Sequence, residues 1–194
     1  MTQRFAFLLG AALAGAAPIA AHAQATAPGC KLPEHRQFDF WVGRWDVYPT
    51  GKDKLVAHSL IENLYGGCVI RESWMPLSGT EGGSLNTYDP EDRRWHQVWM
   101  DAANGRVSFD GGFADGMMIL TGSWRGAQQP GQEGLVRMTY SRLDGGSVRQ
   151  YGEISTNKGA SWKPFFDFTY SPRKRLNNCG KGRCDGCHPV SPSP

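Results

Sequence analysis

The sequence predicts an all-β fold: an antiparallel up-and-down barrel of about ten strands, closed at one end by a short N-terminal helical plug. Three observations lead there. Glycine (25), phenylalanine (9) and tryptophan (7) are plentiful among the 194 residues, and no long stretch has helical periodicity. Short strand-like runs alternate with turn sequences at regular spacing through most of the chain. A dense aromatic segment, Phe38-Asp39-Phe40-Trp41-Val42-Gly43-Arg44-Trp45-Asp46-Val47, stands directly ahead of the first run. Its rings suit a plug, Gly43 permits a sharp turn, and Trp45 begins the first strand on the inside.

Taken in order, residues 1–23 read as a secretory signal. Arg4 supplies the positive end, Phe5 to Ala20 is apolar or small, and Ala21-His22-Ala23 fits the small-x-small cleavage rule. Cleavage near Ala23 places the mature protein in the periplasm or outside the cell. Gly10, Gly15 and Pro18 interrupt the apolar run and no stop-transfer flank follows, so no retained transmembrane anchor is expected. Residues 24–35 read as an Ala/Pro/Gly-rich linker and His35–Trp41 as a short helical turn. The barrel domain is expected over residues 36–172.

Ten runs read as strands: Arg44–Pro49, Leu55–Tyr65, Cys68–Met75, Gly83–Tyr88, Arg94–Asp101, Arg106–Phe113, Met117–Trp124, Leu135–Leu143, Ser147–Ser155 and Trp162–Tyr170. Turn chemistry separates them, as at Thr50-Gly51-Lys52-Asp53, Gly66-Gly67, Asp115-Gly116 and Asp144-Gly145-Gly146. The polar break Gly126–Gly134 reads as a longer loop. Short connections make consecutive hairpins, and a meander of this length closes to remove its free edges.

Residues 173–194 change character. This tail holds Arg173, Lys174, Arg175, Lys181 and Arg183 against Asp185, a surplus of +4 that exceeds the chain's formal +3. The barrel region is about neutral to slightly acidic, and nothing in it resembles a nucleic-acid surface.

Strand alternation sorts side chains by face. Ile70, Glu72 and Trp74 share one face, as do Ser84, Asn86 and Tyr88, and Trp95, Gln97, Trp99 and Asp101. In the last strand Trp162, Phe166, Phe168 and Tyr170 fall together. A dry core would be Val, Leu and Ile throughout. Aromatic rings beside amides and a carboxyl suit a cavity for a small, partly apolar ligand, lined by Glu72, Trp74, Ser84, Asn86, Gln97 and Trp99. The competing reading makes Trp95 and Trp99 ordinary core and lets Glu72, Asn86 and Gln97 satisfy one another. An enzymatic alternative uses the same cavity with Glu72 or Asp101 as general base. No Gly-x-Ser-x-Gly elbow, phosphate loop or His-Glu-x-x-His stretch occurs, and His35, His58 and His96 do not form a metal-ligand spacing.

The opening with Gly43-Arg44-Trp45 resembles that of lipocalin and calycin-like proteins. More closely, the chain resembles a family of uncharacterised secreted bacterial proteins that begin Phe-Asp-Phe-Trp-x-Gly-x-Trp. The likeness continues through Cys68–Trp74, Gly83–Tyr88, Trp95–Asp101 and Trp162–Asp167. It implies a calycin-like barrel with an internal cavity and carries no reaction with it. It also implies a basic residue after the last strand, here Arg173, packed over Trp45 as a cation–π contact.

All five cysteines follow the expected cleavage site. Cys30 and Cys68 are a candidate disulfide tying the segment before the plug to the third strand. In the tail, Cys184-Asp185-Gly186-Cys187-His188 matches the covalent haem-attachment pattern. Cys179, Cys184, Cys187 and His188 also form a possible zinc set, and a tail disulfide is the third reading. No cofactor is implied for the barrel itself.

Overall fold

Ten strands follow one another as antiparallel neighbours: β1 (Gly43–Pro49), β2 (Ala57–Leu64), β3 (Val69–Pro76), β4 (Gly82–Asp89), β5 (Arg94–Asp101), β6 (Arg106–Ala114), β7 (Met117–Arg125), β8 (Glu133–Arg142), β9 (Val148–Ser155) and β10 (Lys163–Pro172). The sheet closes because β1 also pairs with β10, from Trp45 opposite Pro172 to Pro49 opposite Phe168. Closure leaves no unpaired edge. The result is a lipocalin-like up-and-down barrel, as the sequence predicts. It comes from a computed structural model that describes residues 30–127 and 131–173. The expected signal 1–23, residues 24–29 of the linker, and the tail from Lys174 with Cys179, Cys184, Cys187 and His188 lie outside the described residues. Among the described residues no helix is long and apolar enough to cross a membrane.

Local chemistry accounts for the connections. Asp115 (φ 51°) and Gly116 (φ 78°) form a two-residue hairpin turn between β6 and β7, with both central residues left-handed. Asp-Gly is the pair that tolerates this. The loop expected at Gly126–Gly134 is shorter, because the Gly126 N–H donates to the Gln132 carbonyl and β8 begins at Glu133.

The plug is two 3-10 turns, Pro33–Arg36 and Asp39–Trp41. Phe38 and Trp41 are wholly buried and stack at 4.9 Å. Tyr140 lies 5.0 Å from Phe38 and 4.9 Å from Trp41, and Tyr170 lies 5.9 Å from Trp41. The Trp45 indole N–H donates to the Trp41 carbonyl at 2.9 Å, fixing the plug to β1. Gly43 makes that fold-back possible: a Cβ there would stand 3.1 Å from the Trp45 ring. A disulfide between Cys30 and Cys68, 38 residues apart, straps the segment before the plug to the residue preceding β3.

Ion pairs face outward. Arg137 pairs with Glu153 at 2.8 Å and Arg149 with Asp167 at 2.6 Å, each across neighbouring strands. His58 and His96 are also outward and partly exposed. Two expectations fail here. Trp162 does not share the inner face with Phe166: the register shifts between Pro164 and Phe166, and this bulge reverses the alternation. Trp162 instead lies under the Arg137 guanidinium, 4.2 Å from its ring centre. Arg173 does not cover Trp45. Trp45 points inward, whereas Arg173 pairs with Asp46 on the outer face at 3.6 Å.

Candidate functional site

The inner positions of β3 to β10 change in type along the barrel axis. Next to the plug they are apolar and sealed. Midway they become polar, and toward the far end they are half-buried rings. A cavity of about 180 Å³ occupies the upper two zones. Its floor is Glu72, Gln97, Gln150, Tyr140 and Tyr170, and its walls include Trp74, Trp99, Trp124, Phe109, Phe166 and Phe168. Met138 completes the lining.

The floor is one hydrogen-bonded network. Tyr170 donates to Gln150 Oε1 at 2.8 Å, and Gln150 Nε2 donates to the Tyr140 hydroxyl at 2.9 Å. Ser84 donates to Glu72 Oε2 at 3.1 Å and Ser59 to Glu72 Oε1 at 3.3 Å. The Tyr170 oxygen stands 3.4 Å from Glu72 Oε1. Gln97 Nε2 donates to Asn86 Oδ1 at 2.7 Å, and Asn86 Nδ2 donates to the Ile70 carbonyl at 2.9 Å and to Ser84 at 3.1 Å. Every member is buried, so each bond replaces one lost to water.

The Glu72 carboxyl is fully enclosed. Burial pushes its pKa up from the ordinary carboxylate range to about 7, and the hydroxyls of Ser84, Ser59 and Tyr170 offset only part of that rise. Burial, followed by the nearby Glu72 charge, also raises the Tyr140 and Tyr170 hydroxyls above the usual phenol range, so both stay protonated.

All six residues expected to line the cavity point into the barrel, but at different depths. Glu72, Trp74, Gln97 and Trp99 reach the cavity. Ser84 and Asn86 do not line it. Their short side chains lie behind Glu72 and Gln97 and hold them in place. Trp95 belongs to the plugged core, donating to Gln37 Oε1 at 3.1 Å. Asp101, the alternative base, does not line the cavity, and its Oδ1 accepts from the Ala103 and Gly105 N–H groups of its own turn.

The far strands supply what sequence reasoning left out: Gln150, Tyr140, Met138, Phe109 and Trp124. A signal existed for Gln150. It interrupts the inward series Val148, Gly152, Ile154 on β9 just as Gln97 interrupts that of β5. Inward glycines are a second missed signal. A Cβ on Gly152 would meet the Phe166 ring at 2.5 Å, one on Gly82 the Trp99 ring at 2.8 Å, and one on Gly122 the Phe109 ring at 2.8 Å. The rings lie back against bare backbone, and the centre stays open.

One wall group is unsatisfied. The Trp99 indole N–H is buried and has no hydrogen-bond acceptor among the described residues. Leaving such a donor unpaired costs roughly 1–3 kcal/mol. On the outer surface Asp89, Asp92 and His96 bring three potential metal-ligand atoms within 4.8 Å of one another. His96 already holds Asp92 at 3.0 Å through Nε2 and Asp110 at 2.6 Å through Nδ1, so the cluster works as an ion-pair array.

Compared with protein-family models and with curated proteins, the chain matches none.

Proposed function

We propose that this chain is an exported β-barrel protein that binds a small, partly apolar molecule inside the barrel. The observation that carries the reading is the hollow itself: ring walls over a hydrogen-bonded floor, with an interior of about 180 Å³. A cavity of roughly 150 Å³ accommodates a benzene-sized guest, so a single substituted ring or a short branched chain is the scale of ligand that fits. Wall burial supplies the affinity, and the floor fixes the orientation. A guest acceptor placed against the Trp99 N–H would remove a standing penalty. The expected leader at residues 1–23 and the Cys30–Cys68 disulfide support a periplasmic or secreted location.

Native mass spectrometry of the protein recovered from its exported compartment tests this, together with tryptophan fluorescence titrations using single-ring compounds. A retained small-molecule adduct, or a saturable fluorescence change that weakens in Trp99→Ala, supports the reading. A bare mass and no saturable change with any single-ring probe overturn it. The same spectrum reports haem or zinc on the Cys184, Cys187 and His188 tail.

A second reading is favoured by one observation: a carboxyl whose pKa lies near 7 at the bottom of a cavity is poised for proton transfer. In that case Glu72 is the general base or acid of an enzyme, and turnover of a bound compound disappears in Glu72→Gln.

A further inference from the structure

We propose that the guest is a small amine, held as its ammonium on the barrel floor with its hydrocarbon part against the aromatic walls. This rests on the binding reading above and names the chemical class of the ligand.

The sign of the site is the first argument. Among the described residues Glu72 is the one carboxyl on the lining, and no Lys, Arg or His lines the cavity. An anionic guest would meet a carboxyl and no cation. A cationic guest would meet its counter-charge.

The second argument follows the floor's hydrogen atoms. Tyr170 has a single hydroxyl proton, and the 2.8 Å contact to Gln150 Oε1 takes it in preference to the 3.4 Å contact to Glu72. The Tyr170 oxygen therefore keeps lone pairs. Gln97 gives one of its two amide N–H groups to Asn86, which lies behind the lining, and its carbonyl oxygen accepts no hydrogen bond among the described residues. The Ser59 and Ser84 protons go to Glu72. Most of the floor's donors are thus used inside the network and acceptors remain there, whereas the unpaired Trp99 indole N–H on the wall calls for an acceptor elsewhere on the guest. An ammonium has three N–H donors and no lone pair, which complements Glu72, Gln97 Oε1 and the Tyr170 oxygen.

The walls add a third argument. Trp74, Trp99, Trp124 and Phe168 present rings around the space above the carboxyl. Ring faces attract a desolvated cation as well as the hydrocarbon attached to it. A neutral guest gains the burial but neither electrostatic contribution.

The test compares three probes of one shape on the full chain at about pH 8, where Glu72 is mostly ionised and a benzylic amine is protonated. Benzylamine, benzyl alcohol and benzoate are titrated by calorimetry and tryptophan fluorescence. Benzylamine should bind at least about tenfold tighter than benzyl alcohol, and benzoate most weakly. Glu72→Gln should abolish the preference for the amine over the alcohol. If the alcohol matches the amine, or if the amine preference survives Glu72→Gln, the amine proposal is overturned and the binding reading stands. If none of the three binds and the recovered protein carries no adduct, both are overturned. The wild-type comparison decides the matter even if the variant does not fold.

Discussion

At the plugged end Phe38, Trp41, Tyr140 and Tyr170 meet face and edge and exclude solvent. At the other end Trp74, Trp99, Trp124, Phe166 and Phe168 surround a space, and each keeps part of its surface exposed. Ring spacing does not separate the two ends, since Trp74 and Phe168 are 5.8 Å apart and Phe166 and Phe168 5.6 Å. Two things do. The plug carries Phe38 and Trp41 into the barrel from outside the sheet, so one end is filled by residues that belong to no strand. At the other end nothing comparable enters among the described residues, and inward glycines let the rings retreat to the wall. An aromatic-rich interior is therefore not evidence of filling. What sits opposite each ring decides it.

The largest expected break in this contrast is at the plug. Trp41→Ala removes a fully buried indole from a packed cluster and should cost about 3–5 kcal/mol in urea unfolding. Trp74→Ala, at the half-exposed rim, should cost less than half as much. Equal losses would mean that the two ends are packed alike.

Next in size is the floor that divides them. The folded-state pKa of Glu72 is about 7, against an ordinary value of 4.5. The fold therefore favours the protonated form. Its contribution is full below about pH 4.5 and is lost as pH rises to about 7, a loss of about 3 kcal/mol. Tyr140 and Tyr170 are the other ionisable groups facing it, and both stay neutral throughout this range. Glu72→Gln should leave stability unchanged near pH 4 and raise it progressively toward pH 8. A constant offset between wild type and variant would show that Glu72 does not titrate in this window. Outer carboxylates such as Asp167, lowered by Arg149, act in both proteins and cancel in the difference.

The smallest effect sharpens the comparison most. Gly152→Ala should cost about 1–2 kcal/mol, because the new methyl must displace the Phe166 ring. That ring moves toward the cavity, so affinity for a single-ring probe should fall further than stability does. Unchanged probe affinity would mean that the glycine does not set the width of the hollow.

Much of this was legible in the chain because a closed antiparallel barrel has a strict two-residue period. Parity alone places Glu72, Trp74, Gln97 and Trp99 inside. Parity assigns a face but not a depth, however. Asn86 and Ser84 point inward and still stop short of the cavity, because longer neighbours overhang them. Parity also fails wherever one residue is inserted. The bulge at Pro164/Phe166 reverses Trp162, and its one local sign is Pro164, a residue that sheets carry at strand starts and bulges. Asp101 shows a third limit: an inward position next to a turn is captured by the turn's own N–H groups. The Cys30–Cys68 bond was available as a pairing from the chain, whereas the tail cysteines lie outside the described residues.

The pairing of β1 with β10 has a practical consequence. Trp45 lies opposite Pro172, and the Arg173 N–H donates to the Arg44 carbonyl at 2.8 Å, so the chain enters and leaves the barrel side by side at its sealed base. A tether fixed at either lead pulls on that base and leaves the aperture facing away from the anchor. Splicing the chain ahead of Gly43 to the chain after Arg173 would give a circular barrel whose new opening could be cut in any far-side loop.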